Sequence, residues 1–404
     1  MKNIKKIALN DLLSSTAIQS FNIYTLWYVA SHMYNQLMIA ILGFLEIFNI
    51  LLAPLGGVLA DEYSKVKIMQ LSSLLRMLIL LFFVISLLLT NNLFFILMIV
   101  CSCLSIIGSF YTPAIEAIIP ENSVNENSLI ENNSLINTVA QFSTIAASIL
   151  AGLFTLLASE KLVYTIILLM MILATISILR LRDYGKKKTF KPEFNKSKFA
   201  KVLTNFVSVF KIPVVKILLP YAILLNLSFW CFWFLTPLYL TTYFPEFKIA
   251  FSVQELIIGV SSVVCGLVVG KFTQLITKFK KFYPVMLLFQ TFGIVLFTLV
   301  VFLNCNLIIK IGCFCLAWVA YGVFSFVAGI VFVTTLQNEI PSEKMGTTLG
   351  LVFSLFGILA PISSVITIFF PHPSKLGMVI VSLPMLLIPI VMCFDKRVKT
   401  LIEK

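Results

Sequence analysis

Charged groups are scarce in this sequence, and those that interrupt apolar runs mark the positions where chemistry is possible. Two lie deep inside such runs, Glu46 in "IAILGFLEIFNILLAPL" and Arg76 in "LSSLLRMLILLFF". An unpaired charge in hydrocarbon costs several kcal/mol on most scales, so residues of this kind are functional suspects by default. Glu46 can exchange a proton, neutralise a buried charge elsewhere or face an outer vestibule. Arg76 can pair with an internal carboxylate or hold an anionic ligand. A third concentration is "GGVLADEYSKVKIM" at 56–69, where two glycines, Asp61, Lys65 and Lys67 separate two apolar stretches.

Polar and ring-bearing residues also recur on single helical faces. The rows are Ser15, Gln19, Asn22; Ser102, Ser105, Ser109; Asn226, Trp230, Trp233; and Trp318, Tyr321, Ser325. Indole and phenol rings offer apolar area with a hydrogen-bonding tip, which suits a large amphipathic ligand, although they also gather at membrane interfaces and in helix packing. Other chemistries drop out. No glycine loop precedes a Walker lysine, so the chain does not hydrolyse ATP itself. The eight cysteines lie almost all in apolar runs, and Cys101-x-Cys103 points its thiols to different helix faces. His32 and His372 form no cluster. No metal, no cofactor and no enzymatic activity are expected. Among the other acids, Asp11 suits a helix start, "SVQE" at 252–255 reads as a capping box, and Glu116 follows Pro113 at the end of an apolar run.

The elements that must position these residues are membrane helices. The chain has 404 residues, 60% hydrophobic and 12% charged, against ~25% charged in soluble domains. A span needs ~20 apolar residues because each rises ~1.5 Å across a ~30 Å core. Windows of that kind fall at 11–30, 37–60, 68–89, 93–113, 134–157, 162–180, 216–243, 251–272, 282–303, 307–336, 346–369 and 375–394. With both termini in the cytoplasm, 25 of the 30 basic residues fall on the inner side, which satisfies the positive-inside rule in register. The net charge of +13 is thereby read as topology and contact with anionic lipid, and nucleic acid is excluded as a partner. "MKNIKKIALNDLLSS" reads as a cytoplasmic lead-in to the first span.

The long polar stretch 181–215 divides the windows six and six, giving two bundles, 1–180 and 216–404, joined by a basic cytoplasmic linker. "PLGGVLADEY" is echoed by "VVCGLVVGKF", with Gly57 matching Gly266, and "AIIPENS" by "NEIPSEK". Two echoes at equivalent positions indicate a parallel repeat of six helices.

"GVLADEYSKVK" resembles the loop between helices two and three of major-facilitator transporters, whose pattern is Gly-x-x-x-Asp-Arg-x-Gly-Arg-Arg/Lys. Gly57, Asp61, Lys65 and Lys67 match, while Glu62 and Ser64 replace the pattern's arginine and glycine. The segments "IPENSVNENSLIENNSLINTVAQFSTIAASILAGLF" and "TTLQNEIPSEKMGTTLGLVFSLFGILAPISS" are similar to those of the drug-exporting, macrolide-efflux-related branch. The resemblance implies an all-α membrane protein of twelve helices in two six-helix bundles. It implies that Gly57, Asp61, Lys65 and Lys67 form a conformational latch, Asp61 meeting the N-terminus of the eleventh helix near Gly346 and Thr347. It also implies that the first and fourth helices of each half line a cavity, making Gln19, Asn22, Ser105, Asn226, Trp230, Trp233, Trp318 and Tyr321 its candidate residues, with Glu46 and Arg76 the candidates for proton coupling. The expected activity is proton-driven export of a hydrophobic or amphipathic compound by a monomer in a bacterial-type plasma membrane. Uptake, lipid flipping, or an immunity or sensor role without turnover remain open. Many proton-driven exporters carry Gly-Pro in helix five, where this chain has Ala147 and Ser148.

Overall fold

The computed structural model describes residues 2–33, 36–89, 93–121, 126–157, 159–181, 210, 212–271, 282–302, 306–339, 345–370 and 374–403. Among the described residues the regular structure is entirely helical. In chain order the helices are α1 Lys2–Tyr28, α2 Gln36–Phe44, α3 Ile47–Glu62, α4 Lys65–Leu89, α5 Leu93–Glu121, α6 Glu126–Phe154, α7 Glu160–Leu179, α8 Pro213–Tyr243, α9 Ala250–Lys271, α10 Tyr283–Val300, α11 Leu307–Glu339, α12 Met345–Ile366, α13 Lys375–Phe394 and α14 Lys396–Glu403. Among the described residues each apolar window of the sequence lies mainly on helix. Eight described helical segments are long and apolar enough to cross a membrane, and Thr138–Phe154, Ala250–Gly266 and Leu355–Phe369 are shorter apolar helices. Most of the expected linker, 182–209 and 211, lies outside the described residues.

The side chains of α4 show how such helices sort themselves. Its exposed face carries Leu71, Leu75, Leu78, Phe82, Ile85 and Leu89, whereas Ser72, Ser73, Arg76 and Ser86 are buried. Small and polar groups turned inward, with apolar ones outward, suit lipid as the solvent, because packing and hydrogen bonds then replace the hydrophobic drive between helices.

The helices fall into two compact units, α1–α7 with the segment Pro245–Leu256, and α8, the rest of α9 and α10–α14. In the first, α1 packs on α6 and α7, α3 on α5, and α4 on α5 and α7. In the second, α8 packs on α12 and α13, and α10 on α11 and α13. The α9–α11 pair completes the correspondence, since Gly322 of α11 meets Ile258 and Ser261 of α9. The two units therefore repeat one pairing scheme, in keeping with the sequence echoes.

Close approaches in each unit depend on glycine. A Cβ on Gly56 of α3 would overlap the Ser109 carbonyl of α5, and one on Gly293 of α10 would lie 2.5 Å from the Ala317 carbonyl oxygen and 2.8 Å from the Tyr321 nitrogen of α11. Backbone cannot yield at such distances, so both positions require a residue without Cβ.

Three details depart from the sequence reading. The second window is broken: Leu45 and Glu46 form a turn between α2 and α3, in which the Glu46 N–H bonds the Gly43 carbonyl at 3.4 Å and the Phe48 N–H the Leu45 carbonyl at 3.3 Å. Asp11 is no helix start, because α1 begins nine residues earlier and the lysine-rich lead-in is itself helical. Finally, α14 is a separate amphipathic helix with Val398 and Leu401 buried. Asp395 starts it, accepting from the Arg397 N–H at 2.8 Å on Oδ1 and from the Tyr221 hydroxyl at 2.7 Å on Oδ2. Hydrogen bonds from Arg397 and then Tyr221 hold the Asp395 carboxyl well below the usual carboxylate range.

Candidate functional site

The first unit lines an open cavity of about 700 Å³ whose wall includes Asp11, Ser15 and Gln19 of α1, Asn49 of α3, Arg76 of α4 and Tyr111 and Glu116 of α5. Its organising feature is Tyr111. The phenol hydroxyl donates to Asn10 Oδ1 at 3.0 Å and lies 3.3 Å from Asp11 Oδ1, while the ring face receives the Arg76 guanidinium, 4.2 Å from its centre. Ser15 donates a second hydrogen bond to Asp11 Oδ1, at 2.9 Å. Arg76 donates through Nη1 to Ser14 Oγ at 3.1 Å. Asn10 anchors α1 to α7 by donating to the Ala174 carbonyl at 2.8 Å. One phenol therefore holds an acid at its tip and a cation on its face, an arrangement that α1, α4 and α5 must supply together.

The cavity of the second unit is smaller, about 330 Å³, and among the described residues its wall carries no charged side chain. Phe229, Tyr283, Tyr321, Phe332 and Phe356 supply rings, and Asn226, Gln290, Thr291 and Ser325 supply polar tips. Phe229 stacks on Tyr321 with centroids 5.3 Å apart and planes within 6°. Asn226 bonds back to the Ala222 carbonyl at 2.9 Å, leaving its side-chain oxygen for other donors.

The residues singled out from sequence distribute unevenly. Gln19 lies on the first wall, Asn22 is exposed, and Ser105 accepts a hydrogen bond from the Asn49 N–H at 3.0 Å, so it supports the wall. Asn226 and Tyr321 lie on the second wall. Trp230 and Trp233 are half-buried and meet edge to face at 5.6 Å, outside that wall. Trp318 is fully buried among Phe297, Phe314 and Tyr321, and its indole N–H has no acceptor among the described residues. Glu46 is exposed, at the turn that breaks the second window. In the 56–69 stretch the close packing belongs to Gly56, since a Cβ on Gly57 would meet nothing within 4 Å among the described residues. Lys65 is half-buried and Lys67 exposed. Ser64, standing where the family pattern has glycine, accepts the Lys67 N–H at 3.3 Å and caps α4. Asp61 lies in the last turn of α3, but its side chain and those of Gly346 and Thr347 lie outside the described residues.

Sequence reasoning missed Asp11, Asn49 and Tyr111 in the first cavity and Phe229, Tyr283 and Gln290 in the second. A signal for Asp11 existed: the row Ser15, Gln19, Asn22 continues one turn back to it at i−4. Tyr111 gave none, because only the packing of α5 against α4 and α1 shows what it touches.

The sequence profile of the Major Facilitator Superfamily matches residues 12–364, and no curated protein sequence matches the chain. Among solved structures, the peptide transporter POT aligns at a TM-score of 0.76 and 12% identity, over 99% of this chain and 95% of that one. The nucleoside transporter NupG aligns at 0.72 and 13%, over 97% and 100%. A bacterial homologue of the iron transporter ferroportin, in an inward-facing state, aligns at 0.66 and 15%, over 96% and 97%. At such identities the likeness is one of fold. The chain belongs to the Major Facilitator Superfamily and is a multi-pass membrane transporter, not an enzyme.

Proposed function

We propose that this transporter exports a hydrophobic or amphipathic compound in exchange for protons, by alternating access, as a monomer in a bacterial-type plasma membrane. In this reading the chain crosses the bilayer twelve times with both termini in the cytoplasm, as bundles 1–180 and 216–404 joined by a basic linker. The observation that carries it is the pair of cavities, one ionic and one ring-lined, built on corresponding helices of the two units. A ring-lined wall with a few amides and hydroxyls favours amphipathic cargo. Asp11 and Glu116 on the first wall, with Glu46 at the break, supply carboxylates that can bind and release protons, which favours coupling to a proton gradient. Neighbouring structures are named for peptide and nucleoside transport, and one holds 5-aminolevulinic acid, which supports a small organic cargo.

The latch of Gly57, Asp61, Lys65 and Lys67 is part of the same proposal. Asp61→Asn removes the charge at the end of α3, so the outward-facing population falls and cysteines introduced on the cytoplasmic side become more reactive. Unchanged flux and unchanged reactivity would reduce Asp61 to a topogenic charge. Uptake of the same cargo class is the second reading, favoured by α6, which runs unbroken through Ala147 and Ser148 where many proton-driven exporters place Gly-Pro. Expression in a pump-deficient host separates the readings. Export lowers accumulation of a toxic compound and a protonophore abolishes the effect. Uptake raises accumulation, and a protein without turnover changes nothing.

A further inference from the structure

Arg76 is placed as a recognition group. It lies in the middle of α4 with 6% of its surface exposed, yet it forms part of the first cavity's wall. Its bonding is incomplete: Nη1 donates to Ser14, the ring of Tyr111 receives one face, and Nε has no acceptor among the described residues. No carboxylate oxygen among the described residues lies within 4.0 Å of it. Asp11, the nearby acid, is already held on Oδ1 by Ser15 and Tyr111. A guanidinium offers five N–H donors in a planar fork that matches a carboxylate or phosphonate.

A second donor converges on the same place. At Gly108 of α5 an added Cβ would come within 3.5 Å of Asn49 Nδ2 and 3.8 Å of Arg76 Nη2. The missing side chain leaves an amide and a guanidinium nitrogen beside one small space, and the Ser105 bond to the Asn49 N–H fixes the amide's origin. Ile18, Ile115, Ile119 and Ile136 give the same cavity apolar surface.

We infer that Arg76 and Asn49 seat the anionic headgroup, a carboxylate or phosphonate, of an amphipathic cargo whose apolar body lies along those isoleucines. The word cargo rests on the transport reading, but the seat itself is tested by binding alone. Purified protein in phosphatidylcholine nanodiscs is offered 4-phenylbutyrate, phenylphosphonate, 4-phenylbutan-1-ol and 4-phenylbutylamine, and the melting temperature is followed. In parallel, phenylglyoxal modification of Arg76 is quantified by peptide mass spectrometry, with Arg180 and Arg397 as internal references. The two anions raise the melting temperature and slow Arg76 modification selectively, by about fivefold or more at saturation. The alcohol and the amine do neither. Arg76→Gln abolishes the anion-induced shift, and Arg76→Lys, which keeps the charge without the fork, weakens it by about tenfold.

Equal protection by the alcohol or amine, no modification of Arg76 in the free protein, or a shift that survives Arg76→Gln overturns the seat. So does full protection by phosphatidylglycerol introduced into the disc, which would make the position a lipid site. If Arg76→Gln does not fold, the modification experiment on the unaltered chain decides. Selective anion binding without flux of any compound leaves the seat standing and removes the transport reading. Flux of neutral compounds without anion binding does the reverse.

Discussion

The two cavities rest on one backbone scheme and differ in almost every side chain that lines them. In the first, Asp11, Arg76 and Glu116 share the wall with Asn49, Gln19 and Tyr111. In the second, no described residue of the wall is charged and five rings dominate. The difference teaches that the repeat conserves helix packing while leaving chemistry free to diverge. Charge inside a membrane protein is tolerated only where partners or water compensate it, and Tyr111 is the device in the first unit, accepting Arg76 on its face and donating to the Asn10–Asp11 pair at its tip. Stacked rings need no such compensation, so the second unit can present apolar area directly.

The shared scaffold gives the largest expected effects. Gly56→Val and Gly293→Val each force a Cβ into the backbone of a neighbouring helix, so neither variant yields monodisperse protein on size-exclusion chromatography. Gly57→Val does, because a Cβ there meets nothing within 4 Å among the described residues. If both groups behave alike, the shared packing scheme fails.

The next effects separate the cavities. Asp11→Asn keeps an acceptor for Ser15 and Tyr111 but removes the charge beside Arg76. It lowers proton-driven flux by about tenfold or more, a barrier change of ~1.4 kcal/mol, with folding retained. Phe229→Ala removes the partner stacked on Tyr321, a contact worth ~1 kcal/mol. It raises the half-saturating concentration of ring-bearing cargo about fivefold and leaves the pH profile of flux unchanged. A shifted pH profile in Phe229→Ala, or an unshifted one in Asp11→Asn, would erase the division of labour. Glu46→Gln leaves folding and substrate binding intact and reduces accumulation against a gradient. If the gradient and its pH dependence are unaltered, coupling belongs to the Asp11 and Glu116 wall instead.

The smallest effect lies outside both cavities. Asp395 has its pKa depressed by Arg397 and Tyr221, so its contribution to stability is present above the ordinary carboxylate range and is lost as pH falls below it. Asp395→Asn therefore lowers the melting temperature at pH 7 by about 2 °C or less, and the difference from the unaltered chain closes under strongly acidic conditions.

Much of this architecture was legible because the signals are local. A span is a matter of length and apolarity, and among the described residues the windows fall mainly on helix, the second interrupted by the turn at Leu45 and Glu46. Arg76 stood out as a lone cation inside an apolar run, and Gln19, Asn226 and Tyr321 by helical spacing. What escaped needed partners from other helices. Asp11 looked like a helix start because the segment with the lysines before it read as a cytoplasmic lead-in, although α1 absorbs it. The sequence singled out Gly57 as the motif match, and only the approach of α5 at Ser109 shows that the close packing belongs to Gly56. No proline sits at the break between Leu45 and Glu46 to announce it, and Tyr111 acquires its role only through Arg76 and the Asn10–Asp11 pair.

The most direct test of the central claim, proton-coupled transport of amphipathic compounds, is counterflow in proteoliposomes across an imposed pH gradient, using radiolabelled 4-phenylbutyrate and a matched set of ring-bearing neutral and cationic compounds. At least one member accumulates in the direction set by the gradient, accumulation collapses when a protonophore is added, and Asp11→Asn and Phe229→Ala impair it differently. Folded protein that binds a member of the set yet moves none of them under any gradient would contradict the account.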